Sequence, residues 1–142
     1  CVSHRPLFKK EYDWLNYYLP WVVGPFFGQT PETYFAHHIG MHHAENNLHD
    51  DRSSTLHYQR DSLRGFLRYL ANFLFLGMVQ MTDYLNRKKR RALMRRAIVG
   101  EASFFVLCAV LLLVRWQAVV AVFIVPFFIM RVVQMVGNWT QH

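Results

Sequence analysis

Four imidazoles fall within seven residues, at His37, His38, His42 and His43. Histidine is the commonest side-chain metal ligand, and neutral imidazole suits iron, zinc and copper. On a helix, His38 and His42 lie four apart and share a face, which Glu45 and His49 continue at the following turns. The adjacent rings of His42 and His43 cannot aim the same way. That pair fits two metal ions, or one ion plus a supporting contact. His37 stands about 100° around the helix from His38, as suited to support as to ligation. Glu45 reads as a ligand or as a clamp on a ligating imidazole, and His49 as a ligand or a loop histidine. The bland alternative is a polar helix end with solvated histidines. It is disfavoured because five of the eight histidines lie between positions 37 and 49. His57 follows a helix-start signal and reads as solvated.

These side chains need elements to carry them. Thr30, Pro31 and Glu32 form a helix start, with Thr30 as N-cap and Pro31 as the first helical residue. The histidine helix opens there and leaves through Asn46 and Asn47 into a polar loop. Upstream, residues 14–27 are aromatic and apolar but carry Pro20 and Pro25, which argues for a broken, re-entrant or interfacial segment. Its aromatics form an interfacial belt or, more sharply, the wall of a substrate tunnel. Downstream, Ser53, Ser54 and Thr55 could start a helix in which Leu63, Phe66, Leu67, Leu70, Phe73 and Leu74 recur at helical spacing. Arg60, Arg64 and Arg68 lie on its other side. Residues 61–85 read as a helix at a membrane interface or dipping into it, with a full span as the alternative.

The chain has 142 residues, fits one domain, and carries 53% hydrophobic residues and a net charge of +7. Stretches 102–114 and 118–130 contain no charge, and only Arg115, Trp116 and Gln117 separate them. Extended to 97–114 and 118–136, each run covers ~27–29 Å, close to the ~30 Å bilayer core. A transmembrane hairpin over 97–136 is the expected reading; the alternative is a buried helical pair of a soluble protein. Residues 87–91, Arg95 and Arg96 hold seven of the sixteen Lys and Arg residues. Before a span, the positive-inside rule accounts for them, with anionic headgroups as neighbours. Nucleic acid is thereby excluded as the partner. A hairpin then returns residues 137–142 to the side of the basic run, where the histidine cluster also lies if 61–85 does not cross. Glu101 and Arg131, near the span ends, can snorkel or pair. Pro126 kinks its helix. Cys1 and Cys108 offer no disulfide framework.

The sequence resembles the membrane-bound di-iron desaturase and hydroxylase superfamily, which includes fatty acid desaturases and alkane hydroxylases. His38-Ile39-Gly40-Met41-His42-His43 matches the H-x3-H-H form of its second histidine box. Asn138-Trp139-Thr140-Gln141-His142 is similar to the N-x3-H element that follows a hairpin in several members. Cys1-Val2-Ser3-His4 is similar to the last four positions of a first box. The resemblance implies an all-α integral membrane fold, with one transmembrane hairpin plus interfacial or re-entrant helices. It implies a single domain over 1–142 seen as the middle of a family member, with an upstream hairpin and a final H-x2-H-H box expected outside it. It implies two iron ions, ligands at His4, His38, His42, His43 and His142, and Asn138 holding metal through water. His37, Glu45 and His49 are the candidate supports. The implied activity is O2-dependent desaturation of lipid acyl chains, or hydroxylation on the same scaffold. Electrons would come from a cytochrome b5 or a ferredoxin, in an endoplasmic reticulum, plastid, mitochondrial or bacterial membrane. From another class comes a desaturase-like structural subunit that contacts lipid within a membrane complex.

Overall fold

The computed structural model describes residues 5–141, and among them every regular element is helical. After a short turn at Lys10–Tyr12, α1 covers 14–26 and α2, which carries the histidines, covers 33–45. Helix α3 is Leu63–Arg87, α4 is Arg91–Val119 and α5 is Val125–Gln141, the last two joined by a wide turn at Val120–Ile124.

Prolines explain two of the three wide, π-type turns. A proline ring clashes with the carbonyl four residues back, and an extra residue in the turn relieves it. Such turns occupy Leu19–Val23 and Val120–Ile124, just ahead of Pro25 and Pro126. Helix α1 therefore runs on through its prolines with a π turn instead of breaking, and at residues 14–26 it is too short to be a spanning helix. The third wide turn, His38–His42, has no proline after it.

Two other starts differ from expectation because hydroxyls found other partners. Helix α2 begins at Thr33, with Glu32 in the left-handed region ahead of it (φ 62°). Thr30 instead gives its hydroxyl to Glu101, at 2.5 Å. Helix α3 begins at Leu63, where the Ser62 hydroxyl accepts from the Gly65 amide. Ser53, Ser54 and Thr55 belong to the loop before it. Leu63 and Leu67, expected on its packed face, are exposed; Tyr69, Met81, Tyr84 and Leu85 are the buried residues.

Helix α4 leaves its path at Arg115 (φ −151°, ψ 78°). Along a straight helix residues 104 and 127 would stand ~34 Å apart. Their rings instead stack at 5.5 Å, so the run doubles back on itself. Phe104, Cys108, Val119, Phe123 and Phe127 form the contact between its two arms. Lower down, the Arg131 guanidinium donates to Glu101 at 2.8 Å, both side chains largely buried. The run Arg91–Gln141 is long and apolar enough to cross a membrane, with a mean hydropathy of 2.5 in its best window and only 22% of that window buried. Among the described helices it alone meets that test.

The second core seats α2. Ala36 and Met41 pack against Met81, Tyr84 and Leu85 of α3 and Ala97 of α4. The linker before α2 is wedged against both arms of the folded-back run. A Cβ on Gly28 would lie 2.0 Å from the Pro126 carbonyl oxygen, and one on Gly100 would lie 1.8 Å from that of Pro31.

Candidate metal centre

Helix α2 turns Ala36, Gly40 and Met41 to the core; His37, His38 and His42 are half-buried and His43 is exposed. Their arrangement follows from the wide turn. The His43 amide bonds to the His38 carbonyl, five residues back. One extra residue per turn rotates His43, rather than His42, over His38. The His38 and His43 ring centres are 4.4 Å apart, against 6.2 Å for His38 and His42. The Nε2 atoms of His38 and His43 are 3.2 Å apart. Without a proline, this turn is held by the basic run: Arg90 donates to the Gly40 carbonyl at 2.7 Å. Leu93 packs closely over Gly40: a Cβ there would lie 2.5 Å from Leu93 Cδ2, so the leucine side chain would have to shift. The i, i+4 pairing read from the sequence is replaced by i, i+5.

His42 has a clamp, and it is not Glu45. Nδ1 of His42 is 2.6 Å from Oδ2 of Asp51, whose side chain is fully buried. A carboxylate only accepts, so Nδ1 donates and Nε2 carries the lone pair that can bind a Lewis acid. The other oxygen, Oδ1, accepts from the Ser53 amide at 2.8 Å and the Ser53 hydroxyl at 2.6 Å. Burial alone would push the Asp51 carboxyl up, but the His42 and Ser53 hydrogen bonds outweigh it and hold it below the usual range. The loop carrying Asp51 is itself tied down. Asn46 and Asn47 take positive φ to leave the helix, and the Asn47 side chain bonds the Thr55 amide at 2.9 Å. Sequence reasoning passed over Asp51 as a loop residue. The available signal was the run Asp51, Ser53, Ser54, Thr55, whose short polar side chains favour local turns with the backbone.

Glu45 points elsewhere, accepting from the Tyr84 hydroxyl at 2.5 Å and pairing with Lys88 at 3.0 Å. Those two donors, Tyr84 first, hold its carboxyl below the ordinary value. His49 is exposed and lies against His57, ring centres 5.5 Å apart. Part of His37 reaches the surface, yet its Nε2 is buried and has no hydrogen-bond partner among the described residues. Burial lowers its pKa to about 4. The ring meets the edge of Phe73 at 5.3 Å and borders a cavity of about 30 Å³ shared with Tyr34, Arg131 and Gln134. That is room for a water molecule.

The second motif meets the first. Asn138 donates to the Ser53 carbonyl at 2.9 Å and to the Tyr69 hydroxyl at 2.6 Å. Trp139 packs among Tyr58, Phe66 and Tyr69, with the Arg60 guanidinium over its ring. His4 and His142 lie outside the described residues, as does Cys1.

Two imidazole nitrogens 3.2 Å apart can be neighbouring ligands of one ion with bonds of ~2.0–2.1 Å. A buried carboxylate behind a third imidazole is the usual support of a metal-ligating histidine. The donor set therefore fits an imidazole-bound metal. Among the described residues, no group of three or more histidine, cysteine or carboxylate side chains converges on one point.

Among the described residues every regular element is helical, one folded-back run is long and apolar enough to cross a membrane, and imidazoles gather at one turn. The family model for fatty acid desaturases matches residues 1–142, and the chain belongs to that family. No match is found among curated proteins or among solved structures.

Proposed function

We propose that the turn 37–43 is part of a di-iron centre for O2-dependent desaturation of acyl chains in a membrane. The observation that carries this reading is the fixed His42–Asp51 pair beside the opposed Nε2 atoms of His38 and His43. His38, His42 and His43 would hold iron, with His4 and His142 completing the set. Iron held there would let O2 serve as the oxidant of an unactivated C–H bond, chemistry that side chains alone do not supply. The protein's own work is positional. Asp51 keeps the proton on His42 Nδ1, Arg90 and Gly40 keep the wide turn, and His37 stays neutral beside its cavity.

A groove beside the histidines supports a lipid substrate. A groove of about 660 Å³ runs along α1, lined by Tyr17, Leu19, Pro20, Val23, Phe27 and Phe35. It shares Gln29, Thr30 and Tyr34 with the small cavity at His37, so only those side chains stand between an apolar tail in the groove and that cavity. The α1 aromatics are then a tunnel wall. In this reading the two arms of Arg91–Gln141 cross the bilayer as a hairpin, and α3 rests at the interface with Leu63, Phe75 and Val79 toward lipid. Hydroxylation is the sister reaction on the same site. A cytochrome b5 or ferredoxin would deliver electrons.

The absence of a convergent three-ligand group among the described residues favours one other reading, a desaturase-like subunit that contacts lipid without catalysis. Elemental analysis separates the two. Full-length protein, purified anaerobically in mild detergent after iron-supplemented expression, is expected to hold about two irons per chain, lost in His38→Ala and His42→Ala. A folded wild type without iron would refute catalysis and leave the subunit.

A further inference from the structure

We propose that Asn138 is a positioning residue that orients His42 through Ser53 and Asp51, rather than a metal ligand. Its amide nitrogen faces the Ser53 carbonyl at 2.9 Å, across 85 residues of chain. A carbonyl only accepts, so this atom must be the NH2 group; the flipped amide would set two acceptors together. The second amide hydrogen goes to the Tyr69 oxygen at 2.6 Å. Tyr69 in turn donates to the same Ser53 carbonyl at 3.3 Å. Ser53 is thus gripped on its carbonyl side by Asn138 and Tyr69. Its other two polar groups, amide and hydroxyl, both hold Asp51 Oδ1. Asp51 Oδ2 then fixes Nδ1 of His42. Ser53 and Asp51 are 1% and 2% exposed, so water competes little for the bonds between them, while Asn138 and His42 at the two ends are half-buried. The packing of Trp139 against Tyr58, Phe66 and Tyr69 holds the end of α5 in register for the contact. The N-x3-H motif thereby reaches the histidine turn through the loop, whatever else its last residue does.

The consequence for metal binding rests on the proposed metal centre; the relay itself does not, and the test separates them. The full chain in detergent, metal-free and with 15N-labelled histidine, should show a downfield, slowly exchanging His42 Nδ1 proton. Asn138→Asp keeps an oxygen donor but loses the amide hydrogens. Tyr69→Phe loses only a hydroxyl that touches no imidazole. Both variants should shift that proton upfield and speed its exchange, and the double variant should be no worse than Asn138→Asp alone. Titration with Co2+ should then give roughly tenfold weaker binding in each, at unchanged stoichiometry and with a shifted ligand-field band. An unchanged His42 proton in both variants would overturn the relay. So would Asn138→Asp binding Co2+ as tightly as wild type while Tyr69→Phe has no effect, the pattern of a ligand. A wild type that binds no Co2+ would defeat the metal reading, and the proton signal alone would still decide the relay.

Discussion

Gly100→Ala sets two known effects against each other. In the interior of α4, alanine gains about 1 kcal/mol of helix propensity over glycine. The new Cβ would also lie 1.8 Å from the Pro31 carbonyl oxygen and 2.7 Å from its carbon, where at least 3.0 Å is needed. The obstacle is backbone, so no rotamer change clears it, and the linker must retreat by more than ~1 Å. That retreat stretches the hydroxyl bonds from Thr30 and Thr33 to Glu101, now 2.5 and 3.0 Å. Overpacking costs ~1–3 kcal/mol and each bond to a charged group ~1.5–3 kcal/mol when lost. The clash wins: with one of the two bonds lost, the net destabilisation is about 1.5–5 kcal/mol, seen as a fall in Tm of roughly 5–15 °C. Gly137→Ala is the control. Nothing lies within 4 Å of the place its Cβ would take, so the same propensity gain should appear unopposed. The assay is thermal unfolding in detergent, followed by far-UV circular dichroism. If Gly100→Ala melts at or above wild type, the seat of α2 on α4 is not as described and the placement of the histidines falls with it.

His37 makes stability pH-dependent. Its folded pKa is lowered to about 4 from 6.5, so between those values the unfolded chain binds the extra proton and stability falls as pH drops. His37→Gln should gain on wild type by up to ~3 kcal/mol from pH 7 to pH 4.5 in denaturant titrations, and a constant gap would contradict the burial of the ring. Asp51→Ala should weaken iron binding ~10–100-fold, whereas Glu45→Gln, which acts on Tyr84 and Lys88, should leave iron content unchanged. Arg90→Ala leaves the Gly40 carbonyl without its donor and should lower both Tm and iron content. Iron retained at wild-type level would show that the wide turn holds itself.

The histidine cluster, the folded-back apolar run and its reversal near Arg115 are legible in the sequence because type and periodicity alone carry them. What escaped depends on contacts distant in the chain. Ser53, Ser54 and Thr55 look like a helix start because their hydroxyls can cap; Asp51 and Asn47 claim those hydroxyls instead. Thr30 is likewise diverted to Glu101. The π register that exchanges His42 for His43 over His38 has no local signal, since it depends on Arg90 and on the tight approach of Leu93 to Gly40. The basic run reads as a membrane flank, yet Lys88 reaches Asp50, Arg90 reaches Gly40 and Arg96 reaches Glu32. Positive charge there also staples the histidine segment to the helices.

The Glu101–Arg131 pair bears on how the chain enters a bilayer. Between residues 97 and 114 the first arm carries one charged side chain, Glu101, and between 118 and 136 the second carries one, Arg131; the two are paired at 2.8 Å. In the proposed hairpin, the first arm entering lipid alone would carry the Glu101 carboxyl without its Arg131 partner, at a cost of about 2.5–3.5 kcal/mol. That cost favours the two arms partitioning together, once synthesis has passed Arg131. A nascent chain halted between Arg115 and Arg131 should stay held at the translocation site, and one extended past it should be released as a pair.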